Sequence, residues 1–200
     1  GRSNFSRYYN PTFAYFQYAF PGLENDTNYT VKVSFSDNKY LFKNETITFI
    51  TGHGTMGEFA YLQSLIDKAI KNHQETINGI PVLNLTGESF TFNEYDDRQM
   101  HINKTIIINL NGGTISAEGM CRIFNITAKN VILMNIRFVN GNVEGNGSFN
   151  DTNMNGGAIY WCGENGTVMG SDFYSNFAHY GGGIYFNSTA TDCKVISCTT

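Results

Sequence analysis

The charged residues that could do chemistry are few in this chain, and their spacing does not bring them together. The densest group is Asp96-Asp97 followed by Arg98. Isolated carboxylates stand farther along the chain, at Asp151, Asp172 and Asp192. Hydrolysis of a glycosidic bond needs two carboxyl groups about 5 to 9.5 Å apart, on either side of the bond. Elimination from an acidic sugar needs a base and a cation, usually Ca²⁺ held by several carboxylates. The spacing predicts neither arrangement, so we interpret Asp96 and Asp97 as a solvated turn.

Histidine and cysteine show no spacing typical of a nucleophilic or metal site. No two histidines stand four residues apart; they are His53, His73, His101 and His179. The cysteines lack Cys-x-x-Cys and Cys/His metal spacing; they are Cys121, Cys162, Cys193 and Cys198. We interpret them as small apolar residues of an interior, and a disulfide between neighbouring segments stays open. The sequence therefore predicts no catalytic residue, no metal site and no cofactor.

Composition limits the classes of function that remain. Of the 200 residues only 15% are charged, and the net charge is −4 without a basic run, so we expect no nucleic-acid partner. No apolar stretch of about 18 residues occurs, so we expect no membrane span. Asn and Gly are abundant, at 25 and 21 residues, against three Pro. Both accept positive φ angles, which favours a fold rich in tight turns.

An internal repeat predicts how the chain is organised. The run Gly-Gly-Ala-Ile-Tyr-Trp at 156–161 returns 25 residues later as Gly-Gly-Gly-Ile-Tyr-Phe at 181–186. A second repeat relates Phe-Val-Asn-Gly at 138–141 to Phe-Tyr-Ser-Asn at 173–176. Short apolar runs closed by Gly or Asn at this period are typical of the coils of a β-solenoid. Two columns of stacked aliphatic residues are predicted: Ile123, Ile159 and Ile184, and Leu133, Val168 and Val195.

Aromatic residues at equivalent repeat positions form the candidate binding surface. Tyr160 is equivalent to Tyr185, and Trp161 is equivalent to Phe186. Successive side chains of a strand point to opposite faces, so one of these pairs faces outward if the other faces inward. An outward aromatic ladder offers contacts to sugar rings, which makes all four residues candidate glycan contacts. Packing that stiffens the coils is the alternative role for the same residues.

Two further segments precede the predicted coils. Apolar residues at helical spacing predict an amphipathic helix over 56–72, with a capping box formed by Thr55 and Glu58. Such a helix would cover the terminal edge of a solenoid, which otherwise promotes aggregation. Residues 1–51 alternate as short strands, and Leu23 before Tyr29 is typical of the end of an immunoglobulin-like sandwich. We therefore predict a truncated immunoglobulin- or fibronectin-like unit over 1–51, followed by a capped parallel β-helix over 55–200.

Asn-x-Ser/Thr sequons occur more often than chance predicts. Random placement of these residues gives roughly 4 sequons, whereas the chain has 11. They begin at Asn4, Asn25, Asn28, Asn44, Asn84, Asn103, Asn125, Asn146, Asn150, Asn165 and Asn187. The excess favours a secreted or surface glycoprotein. Turn geometry that selects Asn and Thr is an equally good explanation of the same residues.

The order of these motifs resembles the adhesin-like surface proteins of methanogenic archaea. The segments that carry the resemblance are 56–72, 102–106, 111–115, 122–131 and 135–141. The tetrapeptides at 156–159 and 173–176 also resemble the repeats of chlamydial polymorphic outer membrane proteins. The resemblance covers 55–200 and implies an all-β, right-handed, single-stranded parallel β-helix of the pectin lyase-like fold. It also implies a surface location and a role in adhesion, and it supplies no ligand residues.

The sequence leaves three functions open. The first is a non-catalytic, extracellular or cell-surface adhesin-like module that binds glycans or other cells through many weak contacts. The second is a β-helix polysaccharide lyase or glycoside hydrolase whose catalytic coils lie outside this fragment. The third is a structural stalk or surface-layer component. Since the last segment resembles an unfinished coil, we expect a longer protein whose targeting and anchoring signals lie elsewhere.

Overall fold

The structure is a computed structural model that describes residues 6–10, 13–17, 27–36, 41–50, 56–144 and 154–200. Contacts within the chain define two compact units, Gly1–Gly54 and Thr55–Thr200. Residues 145–153 lie outside the described residues, as does Thr55, the predicted start of the capping box. No helix among the described residues is both long enough and apolar enough to cross a membrane.

The first unit contains two antiparallel strand pairs. The strands are β1 (Ser6–Asn10) with β2 (Phe13–Gln17), and β3 (Asn28–Ser36) with β4 (Leu41–Ile50). In the second pair Val31 lies opposite Ile47, and the hydroxyl oxygens of Thr30 and Thr48 are 3.5 Å apart. Such cross-strand pairs stabilise an antiparallel ribbon. The immunoglobulin-like interpretation of this unit stays a prediction.

The second unit begins with the predicted amphipathic helix, α1 (Glu58–Asn72). Phe59, Leu62 and Ile66 are buried, because residues three and four apart share one face of a helix. The helix ends at His73, which takes the left-handed conformation and donates its backbone N–H to the Ala69 carbonyl at 3.1 Å. Packing of this one apolar face fixes α1 against the strands that follow it.

The N-terminus of α1 corrects the predicted capping box. Gly57 is the N-cap and makes no side-chain cap hydrogen bond. The cap comes from Asp96, whose Oδ1 accepts from the backbone N–H of Ala60 at 3.0 Å. A Cβ at Gly57 would lie 1.9 Å from that oxygen, so the contact requires glycine. Glu58 instead accepts from the backbone N–H of Thr91 at 2.6 Å.

After α1 the chain winds into a parallel β-solenoid of about four turns. Its strands are β5 (Thr76–Ile77), β6 (Ile80–Asn84), β7 (Phe90–Thr91), β8 (Met100–Ile102), β9 (Ile107–Ser116), β10 (Phe124–Ile126), β11 (Ile132–Val139), β12 (Ile159–Trp161), β13 (Thr167–Met169), β14 (Asp172–Tyr174), β15 (Ile184–Phe186) and β16 (Lys194–Ile196). The narrow sheet has the order β8-β10-β12-β15, and the wide sheet has the order β5-β6-β9-β11-β13-β16. In the wide sheet β7 also pairs with β9, and β14 with β11. These pairs are parallel, apart from the antiparallel hairpin of β5 and β6.

Strand register confirms most of the predicted stacking. The confirmed columns are Leu133–Val168–Val195 and Ile159–Ile184. The prediction for Ile123 is wrong by one residue, because Phe124 lies beside Ile159. Both Ile123 and Phe124 are fully buried. Two consecutive inward residues at the start of a strand break the alternation on which the alignment depended.

The interior of the solenoid is a continuous column of aliphatic and aromatic side chains. Phe138 stacks on Phe173 with ring centroids 4.9 Å apart, and it meets Phe124 edge-on at 6.2 Å. Leu133 and Val168 are fully buried in the same column. Full burial of a side chain of this size contributes roughly 1.5–3 kcal/mol. Register between coils therefore determines much of the stability of this unit.

The corners of the coils explain the high Asn and Gly content. Residues with left-handed φ angles align from coil to coil in three rows: Asn130, Asn165 and Asp192; Asn135, Gly170 and Ser197; Asn140 and Ser175. Apart from Gly, Asn is among the residues that adopt this conformation most readily. Within the first row, Asn165 donates its side-chain N–H to Asn130 Oδ1 at 2.7 Å.

Helix α1 covers the first coil, as the sequence predicts, and bonds to its strand edges. Gln63 accepts the backbone N–H of His101 at 2.8 Å and donates to its carbonyl at 3.1 Å. The side-chain amide thus takes the place of a neighbouring strand beside β8. Glu58 does the same for the N–H of Thr91 in β7. Unpaired edges of this kind otherwise promote association with other chains.

Candidate functional site

Two stretches of the outer surface combine side chains from several coils. The tyrosine ladder consists of Asn125, Tyr160 and Tyr185, which lie side by side on the narrow sheet. The corner groove is lined by Asn111, Gly112, Asn135, Ile136, Arg137, Gly170 and Asp172. The groove has a volume of about 340 Å³. It lies at the bend in the wide sheet, where the register of β9 and β11 shifts between Met134 and Ile136.

Strand alternation decides which of the four candidate aromatic residues face outward. Tyr160 and Tyr185 stack on the outer surface with ring centroids 5.6 Å apart and planes at 10°. Trp161 is fully buried, and Phe186 packs against it at 5.9 Å. Trp161 thus belongs to the core, whereas Phe186 packs against the core and is partly exposed. Tyr160 and Tyr185 remain as the outward pair.

Both faces of the Tyr160 ring are occupied by protein groups. Arg122 from the preceding coil places its guanidinium 5.2 Å from the ring centroid. Tyr185 from the following coil stacks on the ring. The Tyr160 hydroxyl accepts from Asn187 Nδ2 at 2.9 Å. Aromatic rings attract partners mainly through their faces, so Tyr160 offers little to a sugar and chiefly joins three coils.

Arg122 is a buried cation beneath the tyrosine ladder. Its side chain is 2% exposed. Nε donates to the Gly156 carbonyl at 2.8 Å, Nη2 to the Asn155 carbonyl at 2.7 Å, and Nη1 to Gln99 Oε1 at 2.9 Å. A buried charge is tolerated only when its hydrogen-bond donors find partners. Arg122 therefore acts as a structural link between loops of successive coils.

A chain of side-chain amides runs along the wide sheet toward the corner groove. Asn111 Nδ2 donates to the Leu85 carbonyl at 2.5 Å and to Asn84 Oδ1 at 3.0 Å. Asn109 Nδ2 donates to Asn111 Oδ1 at 3.2 Å. Asn135 Nδ2 donates to Asn109 Oδ1 at 3.0 Å. We call Asn84, Asn111, Asn109 and Asn135 the asparagine ladder; its bonds join three successive coils.

Backbone groups fix the direction in which these amides point. The backbone N–H of Asn111 donates to Asn109 Oδ1 at 3.1 Å, so that oxygen must face the ladder as an acceptor. Asn135 must then turn its Nδ2 toward Asn109, and its own Oδ1 points the other way. Among the described residues no donor reaches this Oδ1. The last amide of the ladder therefore ends in an acceptor that a further group could use.

The asparagine ladder stops at Gly170. Met134 lies beside Met169, so Asn135 is followed in the next coil by Gly170. Both positions have left-handed backbone, with φ of 52° and 56°. A Cβ at Gly170 would lie 2.6 Å from Asn135 Oδ1. The missing side chain leaves the space that forms the floor of the corner groove.

Arg137 and Asp172 form the charged wall of the groove. β11 and β14 place them side by side, with Arg137 Nε 3.9 Å from Asp172 Oδ2. The guanidinium lies 5.6 Å from the ring centroid of Tyr174 and donates no hydrogen bond to another described residue. Thr199 donates its hydroxyl to Asp172 Oδ1. Both charged side chains are partly solvated, so their mutual attraction is weak and their polar atoms are available to a ligand.

Among the described residues the carboxylates that the sequence made candidates do not converge, and Asp151 lies outside that part of the chain. Asp96 is buried, because it caps α1 and also accepts from the Asn93 backbone N–H at 3.0 Å, so its interpretation as a solvated residue is wrong. Asp97 is exposed and pairs with Arg98 at 2.8 Å; the hydrogen bond from Arg98 lowers the pKa of Asp97. Asp172 is the one carboxylate that lines the corner groove. Among the described residues no three metal-binding side chains converge.

The four cysteines are free thiols, so the disulfide that the sequence left open is not formed. Burial raises the pKa of the Cys121 thiol to about 12, and the charge of Asp96 adds to the effect. A thiol that stays protonated is a poor nucleophile and a poor metal ligand. Cys193 and Cys198 are half-buried and direct their sulfur atoms at backbone carbonyls.

The sequon asparagines differ in how their side chains are used. Exposed ones are Asn28, Asn84, Asn103 and Asn165, and half-buried ones are Asn125 and Asn187. In Asn165 and Asn187 the Nδ2 atom, to which a glycan would be attached, donates a hydrogen bond within the fold. Asn44 lies in β4. Outside the described residues lie Asn4, Asn25, Asn146 and Asn150.

Fold and surface together define a class: a parallel β-solenoid with a helical cap and a polar groove at one corner. No family model, curated protein or solved structure matches the chain. The resemblance to adhesin-like surface proteins therefore stays a prediction that rests on the residues quoted for it.

Sequence reasoning did not single out Asn111, Asn135 or Gly170, and it did not place Arg137 beside Asp172. The signal that could have found them is the spacing of 35 residues between equivalent positions of two coils, which aligns Asn135 with Gly170 and Arg137 with Asp172. A change from Asn to Gly at an aligned corner marks the place where a stacked amide ladder is interrupted.

Proposed function

We propose that this chain is a non-catalytic, extracellular adhesin-like module that binds glycans through the outer surface of its solenoid. The observation that carries the proposal is the corner groove, an open polar cavity to which three successive coils contribute donors and acceptors. Glycan hydroxyl groups both donate and accept, and a surface of this mixed character complements them. Weak single contacts suffice when several copies bind together.

The extracellular location is supported by the sequons. Asn28, Asn84 and Asn103 are exposed and lie in the sequence context required for N-glycosylation. Corner geometry explains part of the excess, since Asn165 takes a left-handed corner position. The exposed sequons away from the left-handed corners are the ones that favour secretion or surface display.

A lyase or hydrolase receives less support from the groove. Asp172 is its one carboxylate, whereas glycoside hydrolysis requires two. Catalytic groups elsewhere in a longer protein would still fit the enzyme hypothesis. A structural stalk is the remaining alternative, and it requires no ligand at all.

An array of oligosaccharides tests these functions together. The chain would be biotinylated at one terminus and applied as a monomer and as a streptavidin tetramer. We expect specific binding to at least one glycan, stronger for the tetramer by about 10²–10⁴-fold and inhibited by the free glycan. Absence of binding by the tetramer would contradict the proposal and favour the stalk. Release of new reducing ends or unsaturated products from a polysaccharide would favour the enzyme.

A further inference from the structure

We infer that the corner groove is a binding site for neutral, hydroxyl-rich saccharides, and that the ligand occupies the missing rung of the asparagine ladder beside Gly170. The inference rests on the proposed glycan-binding function and assigns that function to one site and one ligand class. The floor of the site is Gly170, one wall is Asn135, and the other wall is Arg137 with Asp172.

The first support is the unused acceptor at the end of the ladder. The position that a Cβ would take at Gly170 is 2.6 Å from Asn135 Oδ1. Hydrogen bonds between a hydroxyl donor and an oxygen acceptor span about 2.5–3.0 Å. A ligand hydroxyl in the space beside Gly170 therefore lies at bonding distance from Asn135 Oδ1. It would continue the series of bonds that runs from Asn84 to Asn135.

The second support is the arrangement of Arg137 and Asp172. The Tyr174 ring lies 5.6 Å from the guanidinium carbon and helps to hold Arg137 in place, while the side chain stays 52% exposed. Arg137 Nε and Asp172 Oδ2 are 3.9 Å apart, beyond hydrogen-bond distance. A hydroxyl that lies beside this pair, off the line between the two atoms, can accept from Arg137 and donate to Asp172. Thr199 donates to the other oxygen of Asp172 and steadies the carboxylate.

The charge of Asp172 selects against acidic sugars. A ligand carboxylate bound to Arg137 would lie within a few ångströms of the Asp172 carboxylate, and two like charges at that distance repel each other. The net charge of the chain, −4, acts in the same direction. Neutral hydroxyl groups are not repelled by Asp172, and they can accept from Arg137 and donate to Asp172. The site therefore suits neutral hexose chains rather than uronates.

The decisive variant is Gly170→Asn. Asn tolerates the left-handed φ of 56° at this position, and its amide would fill the space that the ligand hydroxyl needs. The atom that crowds a Cβ there is Asn135 Oδ1, the far end of a flexible side chain. We expect a folded protein whose affinity for neutral saccharides falls at least tenfold, a loss typical of one or more hydrogen bonds.

Gly119→Asn is the matched control. Gly119 also has a left-handed φ, 75°, and nothing lies within 4 Å of a Cβ built there. It is not among the residues that line the groove, so the variant should bind like the unmodified chain.

Two further variants test the charged wall of the groove. Arg137→Ala should lose about tenfold in affinity. Asp172→Asn should improve the binding of acidic relative to neutral saccharides.

The experiment measures binding of the tetramerised full chain and its variants to an array of neutral and acidic oligosaccharides. Urea unfolding of each variant checks that it is folded. Binding of neutral saccharides that Gly170→Asn removes and Gly119→Asn keeps would support the inference. If Gly170→Asn still binds, the corner groove is not the binding site, although the proposed glycan-binding function remains. If the chain binds acidic glycans alone, the assignment to neutral saccharides is wrong. If the unmodified chain binds no glycan, both proposals fail.

Discussion

The tyrosine ladder and the corner groove lie on one solenoid and are built from residues at equivalent positions of successive coils. In the tyrosine ladder the partners of Tyr160 come from the neighbouring coils: its ring lies between Arg122 and Tyr185, and its hydroxyl accepts a hydrogen bond from Asn187. In the asparagine ladder the series ends at Asn135, because the next coil has Gly170. Neighbouring coils thus occupy the ring and hydroxyl of Tyr160, whereas the glycine that follows Asn135 leaves the Oδ1 of that residue without a donor among the described residues.

The same comparison separates two arginines. Arg122 is almost fully buried and donates to three acceptors of the protein. Arg137 is half exposed, and a ring face holds it without using its N–H groups. Burial of Arg122 costs desolvation free energy, which its three hydrogen bonds offset. The solvated guanidinium of Arg137 can still form hydrogen bonds to a ligand. Exposure and partner use therefore distinguish a structural arginine from a candidate ligand-binding one.

The largest effect is expected from Arg122→Ala. The change leaves the carbonyl groups of Gly156 and Asn155 without their donor and uncovers one face of Tyr160. Since a buried acceptor that loses its donor costs about 1–3 kcal/mol, we expect the free energy of unfolding to fall by about 3–5 kcal/mol in total, as measured by urea denaturation. Arg137→Ala, the same substitution in the groove, should cost less than about 1 kcal/mol. Equal losses for the two variants would remove the distinction between the surfaces.

The next largest loss of stability is expected when the asparagine ladder is broken at Asn111, where its hydrogen bonds are formed on both sides. Asn111→Ala removes the bonds to Leu85 and Asn84 and forces Ala to adopt a φ of 48°. We expect a loss of about 2–3 kcal/mol in unfolding free energy. Asn111→Gly removes the same bonds without the backbone strain, so it should cost about 1 kcal/mol less. A loss below about 0.5 kcal/mol for Asn111→Ala would show that the ladder does not stabilise the coils.

Gly170→Asn should leave the unfolding free energy unchanged or raise it by up to about 1 kcal/mol. The new Cβ requires Asn135 Oδ1, 2.6 Å away, to move aside. The added amide then extends the ladder and restricts the unfolded chain more than glycine does, which offsets this cost. Gly170→Ala lacks the amide and places Ala at a left-handed φ, so it should cost about 1 kcal/mol. Urea denaturation of both variants provides the measurement. A loss above about 1 kcal/mol for Gly170→Asn would mean that the corner cannot accept a further rung.

The smallest effect concerns the tyrosine hydroxyls. Tyr160→Phe removes the acceptor of the bond from Asn187 and should cost about 0.5–1.5 kcal/mol. Tyr185→Phe should be close to neutral, because no described residue bonds to its hydroxyl. Thermal and urea unfolding of the pair measure the difference. A larger loss for Tyr185→Phe would contradict the asymmetry within the tyrosine ladder.

The coil register and the helix could be predicted because both depend on local, repeated patterns. Val168 and Val195 occupy equivalent positions of a repeat, and the structure places them side by side. Phe59, Leu62 and Ile66 recur at helical spacing, and all three are buried. When apolar residues recur at the period of a helix or of a coil, their spacing predicts which side chains share a face.

The cap and the groove could not be predicted, because neither depends on local sequence. Asp96 caps α1 from a loop 36 residues away, which no N-cap pattern around Thr55 reveals. The corner groove depends on a side chain that Gly170 does not have and on the orientation of the Asn135 amide, which lies two coils after Asn84. Both features arise only when coils are stacked, so they follow from tertiary contacts.

The most direct test of this account compares the two surfaces in one titration. The ¹⁵N-labelled chain would be titrated with a neutral saccharide, and its backbone and side-chain amide resonances followed by NMR. If the corner groove binds the saccharide, the resonances of the Asn135 side-chain amide and the Gly170 backbone amide should shift first, while those of the Tyr160 and Tyr185 backbone amides stay in place. Shifts at Tyr160 and Tyr185 with Asn135 and Gly170 unchanged would contradict this account.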